Sequence, residues 1–256
     1  MIPNAAHSPM LGTIILDSFK KTEAPRIAAA LGEICSANDN YGWASTGVYS
    51  FFDPQTKETL YLGLAQDFTE RFKQHTGLKA CAPKFCKKGK IAAYFQQKEK
   101  LGFGILAQSP LEQPVLRKNR KERRAQPHDD DLAGLTYAQT GEGQLIEAHR
   151  LALGVLPPWN SIGGDKRGQA RASEGNIAIV QALCGRLDAF PVARSTLREL
   201  ADTPLFTDYE VDLHAARLMA QLDSDLLGCL SRLARRGALS KPLDAYLEYL
   251  KRTPAL

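Results

Sequence analysis

A short stretch of the chain has the pattern of a β-hairpin followed at once by a helix. TGVYSFF and TLYLGLA are rich in β-branched and aromatic residues, and the polar turn DPQTKE separates them. QDFTERFKQHTG then carries two phenylalanines one helical turn apart and ends at a glycine, which is typical of a helix C-terminus. We therefore predict strands over residues 46–52 and 59–65 and a helix over 66–77.

The rest of the chain adds one more strand and many helical patterns. A third strand is predicted over 101–108, where LGFGILA is continuously apolar, as expected of a strand that is covered on both faces. Helical spacing is seen at about 24–35, in KGKIAAYFQQKEK, and in nearly every segment from about residue 142 onward. These patterns predict an α+β fold, with a small three-stranded mixed sheet flanked by helices and an all-α C-terminal region.

A length of 256 residues allows one large domain or two modest ones. We predict a helical N-terminal extension at 1–42, a central module at 43–160, and a helical C-terminal domain at 175–256. The Gly- and Ser-rich segment between the last two is typical of a linker. Inside the central module, 110–141 lacks apolar periodicity and is predicted to be a long basic insertion, with the next helix beginning at about Glu142.

Positive charge is concentrated in one part of the chain. Residues 84–124 contain twelve Lys or Arg and three acidic residues, although the whole chain carries a net charge of only +5. Such a block favours a polyanion partner, because each neutralised phosphate releases counterions, and a solubilising loop is the alternative. The candidate nucleic-acid contacts are Lys73, Lys87, Lys88, Lys90, Arg117, Lys118, Arg120, Lys121, Arg123 and Arg124.

Several classes of protein are excluded by composition. With 44% hydrophobic and 24% charged residues the chain is neither disordered nor fibrous, and no apolar run approaches the length of a membrane span. No secretory signal is recognised, so we expect a cytoplasmic protein without membrane contact. Five scattered cysteines predict reduced thiols. Cys81 and Cys86 near His75 lack a fourth ligand and the usual spacing, so no structural zinc is expected.

Five polar side chains are candidates for chemistry. Tyr49 and Tyr61 lie on the two arms of the hairpin, Arg71 and His75 are four residues apart on the next helix, and Glu147 lies on a later helix. Together they supply what a phosphodiesterase needs, which is a metal ligand, a cationic clamp and groups that position water. Taken singly, each has an ordinary structural explanation, such as a half-buried strand tyrosine or a histidine that favours a helix C-terminus.

The spacing of these residues resembles that of the GIY-YIG nuclease family. GVY at 47–49 and YLG at 61–63 stand in for the two tripeptides, with eleven residues between the tyrosines, and Arg71 and His75 follow at the family's spacing. The resemblance covers residues 45–160 of the chain. It implies that the tripeptides lie on adjacent strands and that the protein is a metal-dependent DNA endonuclease.

In this family a glutamate on a later helix holds a single divalent metal. Glu147 lies thirteen residues before Asn160, in the segment LIEAHRLALGVLPPWN that resembles the family's glutamate helix. Glu142 is the rival, but it lies eighteen residues before Asn160. The resemblance therefore implies Glu147 as the ligand of one Mg²⁺ or Mn²⁺ ion.

The resemblance also implies a role for each remaining residue. Arg71 clamps a phosphate oxygen, and Tyr49 is the first candidate to take the proton from the attacking water, provided that nearby cations lower its pKa. Tyr61 and His75 orient water or phosphate. Asn160 fixes its loop or hydrogen-bonds a tyrosine or the glutamate.

The expected partner is DNA, with RNA less favoured. Residues 175–256 carry ten basic and ten acidic residues and leucines at helical spacing, so we expect them to mediate a homodimer or a protein contact. The alternative function is a catalytically inactive nucleic-acid-binding or assembly protein that uses the module as a scaffold.

Overall fold

The computed structural model describes residues 12–35, 43–82, 86–108, 129–187 and 192–223. Within them, four antiparallel strands form one sheet in the order β1-β4-β2-β3, so that β1 and β3 are the edges. The strands are β1 (Thr13–Lys20), β2 (Gly47–Phe52), β3 (Thr59–Ala65) and β4 (Lys100–Ala107).

Helices cover both sides of this sheet. They are α1 (Ala24–Ile34), α2 (Phe68–Thr76), α3 (Lys88–Tyr94), α4 (Asp129–Leu153), α5 (Lys166–Gln169), α6 (Glu174–Leu183), α7 (Leu197–Asp202) and α8 (Pro204–Asp223). In the part of the chain that the structure describes, no helix combines the length and the apolar character needed to span a bilayer.

The α+β class and the three predicted strands are confirmed, but the predicted sheet is wrong in two respects. It has a fourth strand, β1, which comes from the segment assigned to a helical extension, and all its pairings are antiparallel rather than mixed. The segment TIIL at the start of β1 does not alternate between apolar and polar residues because Ile14 and Ile15 are both fully buried, one on each face.

The two faces of the sheet pack against different side chains. One face, here called the aromatic face, is packed against α1, α2 and α7, and its strand residues include Tyr49, Phe51, Tyr61 and Phe103. The other, here called the aliphatic face, is packed against α4 and α6, and its strand residues include Ile14, Val48, Leu62 and Leu106.

All three predicted regions contribute to the same buried cluster. Ile15 from the N-terminal region, Tyr49 from the central module and Leu197 from the C-terminal region lie together on the aromatic face. The division into three domains stays a prediction, but residues from all three regions pack in one hydrophobic cluster.

Helix α4 begins at Asp129 rather than at about Glu142, where the sequence predicted its start, and the insertion at 110–141 stays a prediction. Near Thr140, the backbone of α4 lies close to that of α5: a Cβ added to Gly168 would lie 2.1 Å from the carbonyl oxygen of Thr140. A contact of this kind leaves no apolar periodicity in the sequence. Residues 109–128, which hold six of the twelve basic residues in 84–124, lie outside the described residues.

Helix α8 is anchored to β1 by buried polar groups. Nδ1 of His214 lies 2.8 Å from the hydroxyl of Thr13, and Arg217 forms a buried ion pair with Glu210 at 2.9 Å. Arg217 also donates to the Thr13 hydroxyl at 3.2 Å. The first part of the C-terminal region is thus helical, as predicted, and tied to the sheet; residues 224–256 and the predicted partner contacts lie outside the described residues.

Candidate active site

Tyr49 and His75 form the buried floor of the candidate site. Tyr49 projects from β2 onto the aromatic face, and His75 lies in the last turn of α2, which crosses that face. The Tyr49 Oη and His75 Nε2 atoms are 2.5 Å apart, and both side chains are almost fully buried, at 1% and 0% exposure. The hairpin and the following helix therefore bring together two of the residues that the sequence singled out.

The other ring nitrogen of His75 also has a partner. The backbone N–H of Lys87, just before α3, donates to Nδ1 of His75 at 2.8 Å. Burial, assisted by the charges of Arg71 and Lys87, lowers the pKa of His75 to about 3. The imidazole is therefore neutral at physiological pH.

Tyr61 lies beside this pair on β3. Its ring centroid is 5.8 Å from those of Tyr49 and His75. The Lys87 ammonium lies over the Tyr61 ring, 4.8 Å from its centroid, in a cation–π geometry. Burial lowers the pKa of Lys87, and the charges of Lys90 and Arg71 lower it further, which shows that the cations are crowded here.

Arg71 lies one turn before His75 on α2 and is half-buried. Its guanidinium donates to Oε1 of Gln74 at 3.1 Å. Burial and the neighbouring Tyr61 raise the pKa of Tyr49, and the Arg71 charge opposes this only in part. The pKa of Tyr49 thus lies well above its ordinary value rather than below it, and the resting phenol is neutral.

The two glycines of the tripeptides are required by close packing. A Cβ on Gly63 would lie 2.6 Å from the Tyr61 ring and 2.8 Å from the Tyr49 hydroxyl. A Cβ on Gly47 would lie 2.6 Å from the Leu106 carbonyl oxygen and 2.8 Å from the Phe68 ring. Gly63 thus makes room for both tyrosines, and Gly47 lets α2 approach the sheet.

Glu142, the rival carboxylate, reaches this group from α4. Its Oε1 atom accepts a hydrogen bond of 2.9 Å from the backbone N–H of Leu64, on the open edge of β3. Burial raises its pKa, and the Leu64 hydrogen bond and the Arg71 charge counteract the increase. Its charge in turn acts on Tyr61. Glu142 is therefore the carboxylate that interacts with Arg71 and Tyr61.

The structure does not bring Glu147 to the tyrosines. Glu147 forms an ion pair with Arg150 at 2.6 Å, next to residues of α4 that pack on the aliphatic face. Five residues separate it from Glu142, which is about 140° around a helix. A carboxylate at 147 thus points well away from the β3 edge that Glu142 reaches, and this geometry disagrees with our choice of Glu147.

Asn160 fixes its loop to the edge of β3, one of the two roles expected. Its Oδ1 accepts from the N–H of Leu62 at 3.0 Å, and its Nδ2 donates to the Leu62 carbonyl at 2.8 Å. The N–H of Trp159 donates to the carbonyl of Leu60 at 2.8 Å. Together with Glu142, which accepts from the N–H of Leu64, these contacts give hydrogen-bond partners to outward-facing backbone groups of Leu60, Leu62 and Leu64. They protect the edge of the sheet from pairing with another strand.

The predicted nucleic-acid contacts fall into two groups. Lys87 is part of the site, whereas Lys88 and Lys90 lie on the exposed surface of α3 and Lys73 is half-buried on α2. The six basic residues from Arg117 to Arg124 lie outside the described residues.

The side chains at the site supply few oxygen donors for a divalent metal ion. Among the described residues, no group of three or more His, Cys, Asp or Glu side chains is gathered as a metal site. Glu142 offers a carboxylate whose Oε1 atom accepts from Leu64, and the charge of a second carboxylate, Asp165, acts on it. One carboxylate fits Mg²⁺ or Mn²⁺, because such hard cations keep several water ligands.

Comparison with known proteins adds no information on the function of this site. Neither protein-family profiles, nor curated proteins, nor solved structures give a match to this chain.

Sequence reasoning did not place Lys87 beside His75, and it preferred Glu147, which the structure places on another side of α4 from Glu142. Lys87 was placed among the surface DNA contacts, and no local pattern links it to His75. The position of Glu142 carried one signal, since it also lies in a helical stretch with an apolar residue four positions on. Counting back from Asn160 outweighed that signal.

Proposed function

We propose that this protein is a metal-dependent DNA endonuclease of the GIY-YIG type, which hydrolyses phosphodiester bonds. The observation that carries the proposal is the convergence of Tyr49, Tyr61, Arg71 and His75, with Glu142 at the adjoining strand edge. Four residues from a hairpin and a helix were selected by spacing alone, and their side chains interact in the folded chain.

The cationic groups suit a phosphate oxygen. Arg71 and Lys87 are partly exposed beside the buried tyrosines. The planar guanidinium of Arg71 is able to contact two oxygens, and the Lys87 ammonium adds a point charge. Their role in the proposal is to bind the phosphate and to stabilise the charge that develops on it.

Glu142 replaces Glu147 as the proposed metal ligand. Its position beside Arg71 and Tyr61 supports this assignment. When bound there, Mg²⁺ or Mn²⁺ supplies Lewis-acid chemistry at the phosphate. Glu147, already paired with Arg150, has no part in the proposed reaction.

Tyr49 is proposed to orient the attacking water rather than to start the reaction as a phenolate. Burial raises its pKa, so that its hydroxyl keeps its proton at neutral pH. A protonated hydroxyl donates one hydrogen bond and accepts others. Tyr61, at 8% exposure, is slightly more open and is proposed to contact the phosphate.

The burial of Tyr49 and His75 favours the second candidate function, a catalytically inactive nucleic-acid-binding or assembly protein. Two aromatic side chains at 1% and 0% exposure are also what a structural core would contain. The charged residues around them distinguish the two candidates, since a structural core has no need of Arg71, Lys87 and Glu142 together.

Cleavage of a supercoiled plasmid tests the proposal. Wild-type protein with Mg²⁺ or Mn²⁺ is expected to nick or linearise the plasmid, and excess EDTA should abolish this. Arg71→Ala is expected to slow cleavage by roughly 100-fold or more, as for loss of an oxyanion donor. Arg26→Ala is the matched control, because Arg26 forms an exposed ion pair with Asp202 at the end of α7, and exposed pairs of this kind contribute little to stability.

DNA binding without cleavage in either metal would reject the nuclease and support the second candidate. Equal loss of activity in Arg71→Ala and Arg26→Ala would show that the effect of removing an arginine is not specific to the site.

A further inference from the structure

The hydrogen bonds of His75 define which of its nitrogens carries the proton. We propose that the backbone N–H of Lys87 holds His75 as the Nε2–H tautomer, and that His75 is thereby a hydrogen-bond donor to Tyr49. As far as it concerns catalysis, this inference rests on the proposed function. It makes the main chain of Lys87 a positioning element of the site.

The argument begins at Nδ1. A backbone N–H is only a donor, so the Nδ1 atom that faces the Lys87 N–H at 2.8 Å must present its lone pair. In a neutral imidazole the single proton is then on Nε2. An Nδ1–H tautomer would instead set two donors against each other inside a buried site.

The consequence is transmitted to Tyr49. The Nε2–H group points at Oη of Tyr49, 2.5 Å away, and that oxygen is the acceptor. The hydroxyl hydrogen of Tyr49 is therefore directed away from His75 and toward its other neighbours, among which Tyr61 is a hydrogen-bond partner. His75 is unable to take the Tyr49 proton, because its only lone pair is engaged by Lys87.

The surroundings disfavour a doubly protonated ring as well. Arg71 and the Lys87 ammonium are both close enough to oppose a positive charge on His75. An imidazolium would also carry a proton on Nδ1, against the Lys87 N–H. The geometry thus leaves one protonation state, in which His75 donates to Tyr49.

Nitrogen NMR of the full-length protein, free of metal and DNA, tests this directly. The chain has five histidines, and a His75→Gln spectrum identifies the His75 signals by their loss. We expect one pure tautomer, with the proton on Nε2 and widely separated nitrogen resonances. A scalar coupling across the hydrogen bond from the Lys87 nitrogen to Nδ1 is also expected.

Two variants at one position separate the backbone from the side chain. Lys87→Pro removes the N–H and should mix the tautomers, so that the two nitrogen resonances move toward each other. Lys87→Ala keeps the N–H and should retain the pure Nε2–H form, although it loses the ammonium. If Lys87→Pro does not fold, the wild-type coupling decides the question alone.

A wild-type Nδ1–H tautomer, or no coupling to Lys87, would overturn the inference even if the plasmid is cut. A plasmid that stays intact while the Nε2–H tautomer and the coupling are seen would reject the nuclease but leave the role of Lys87 in positioning His75 in place. The two failures are therefore distinguishable.

Discussion

Both faces of the sheet are buried, but they carry different chemistry. The aliphatic face packs branched side chains against α4 and α6, and its contacts are apolar apart from a few groups such as Ser50. The aromatic face packs rings against α2. Tyr49 and Tyr61 carry hydroxyl groups on this face, and α2 contributes the imidazole of His75. Amphipathic aromatics allow one layer to serve both as core and as site.

The position of the site follows from this difference. On the aromatic face, Tyr61 comes from the edge strand β3, where Glu142 and Asn160 bind the free backbone groups. The aliphatic face supplies the helix, α4, that brings Glu142 to that edge. The comparison teaches that changes on either face should reduce stability, whereas the pair of Tyr49 and His75 should respond directly only to changes on the aromatic face.

The largest expected effect is the loss of unfolding free energy when one large side chain on each face is truncated to alanine. Phe51 packs against Tyr49, Tyr61 and His75, and Phe51→Ala is expected to cost about 3–5 kcal/mol of unfolding free energy. Leu106→Ala, on the aliphatic face, should cost about 2–5 kcal/mol. Denaturant unfolding measures both, and the His75 nitrogen resonances should shift only in Phe51→Ala. A larger shift in Leu106→Ala would break the comparison.

A smaller effect is expected from adding one methyl group under the tyrosines. Gly63→Ala places a Cβ against the Tyr61 ring and the Tyr49 hydroxyl, and overpacking of this kind costs about 1–3 kcal/mol. Gly89→Ala is the control, because nothing lies within 4 Å of its added Cβ and Gly89 lies in helix α3. The denaturation midpoint should decrease for Gly63→Ala and stay unchanged or increase for Gly89→Ala. An increase in both variants would contradict the tight packing around Gly63.

The pH dependence of stability sharpens the comparison further. The pKa of His75 is lowered from 6.5 to about 3 in the folded protein. At pH values between these two, the imidazole is protonated in the unfolded chain but not in the folded one. Stability should therefore decrease as the pH is lowered from about 6.5 to about 3, by up to about 1.4 kcal/mol per pH unit from this group.

His75→Gln should remove that part of the slope. His214, whose pKa is lowered to about 4, remains in both proteins and serves as the internal reference. Unfolding at several pH values between 3 and 7 checks this, and identical slopes in the two proteins would show that His75 does not resist protonation.

The smallest expected effect lies at the strand edge. Asn160→Ala removes both hydrogen bonds to Leu62 and should cost about 1–2 kcal/mol. Amide hydrogen exchange should quicken at Leu62, which loses its acceptor, but not at Leu106 in the central strand. Unchanged exchange at Leu62 would mean that the loop is held by other contacts.

Much of the site was predictable because local periodicity determines it. Strand alternation places Tyr49 and Tyr61 on one face, and a four-residue step places Arg71 and His75 on one side of α2. The hairpin and the helix are adjacent in sequence, so their packing leaves little freedom. This explains why four of the residues converge as expected.

The carboxylate was not predictable by the same reasoning. Helix α4 begins at Asp129, thirteen residues before Glu142, and its rotation about its own axis is set by packing on the aliphatic face. A choice between Glu142 and Glu147 depends on that rotation, which spacing from Asn160 does not determine. Likewise, the contact of the Lys87 main chain with His75 depends on the path of the chain between α2 and α3.

The central claim is that Glu142, and not Glu147, completes the site with Tyr49, Tyr61, Arg71 and His75. The most direct measurement compares Glu142→Gln with Glu147→Gln in Mn²⁺ binding by calorimetry and in plasmid cleavage. We predict that Glu142→Gln loses metal binding and reduces cleavage by at least about 100-fold. Glu147→Gln, which loses only an ion pair with Arg150, should retain both. Loss in Glu147→Gln with retention in Glu142→Gln would contradict the account.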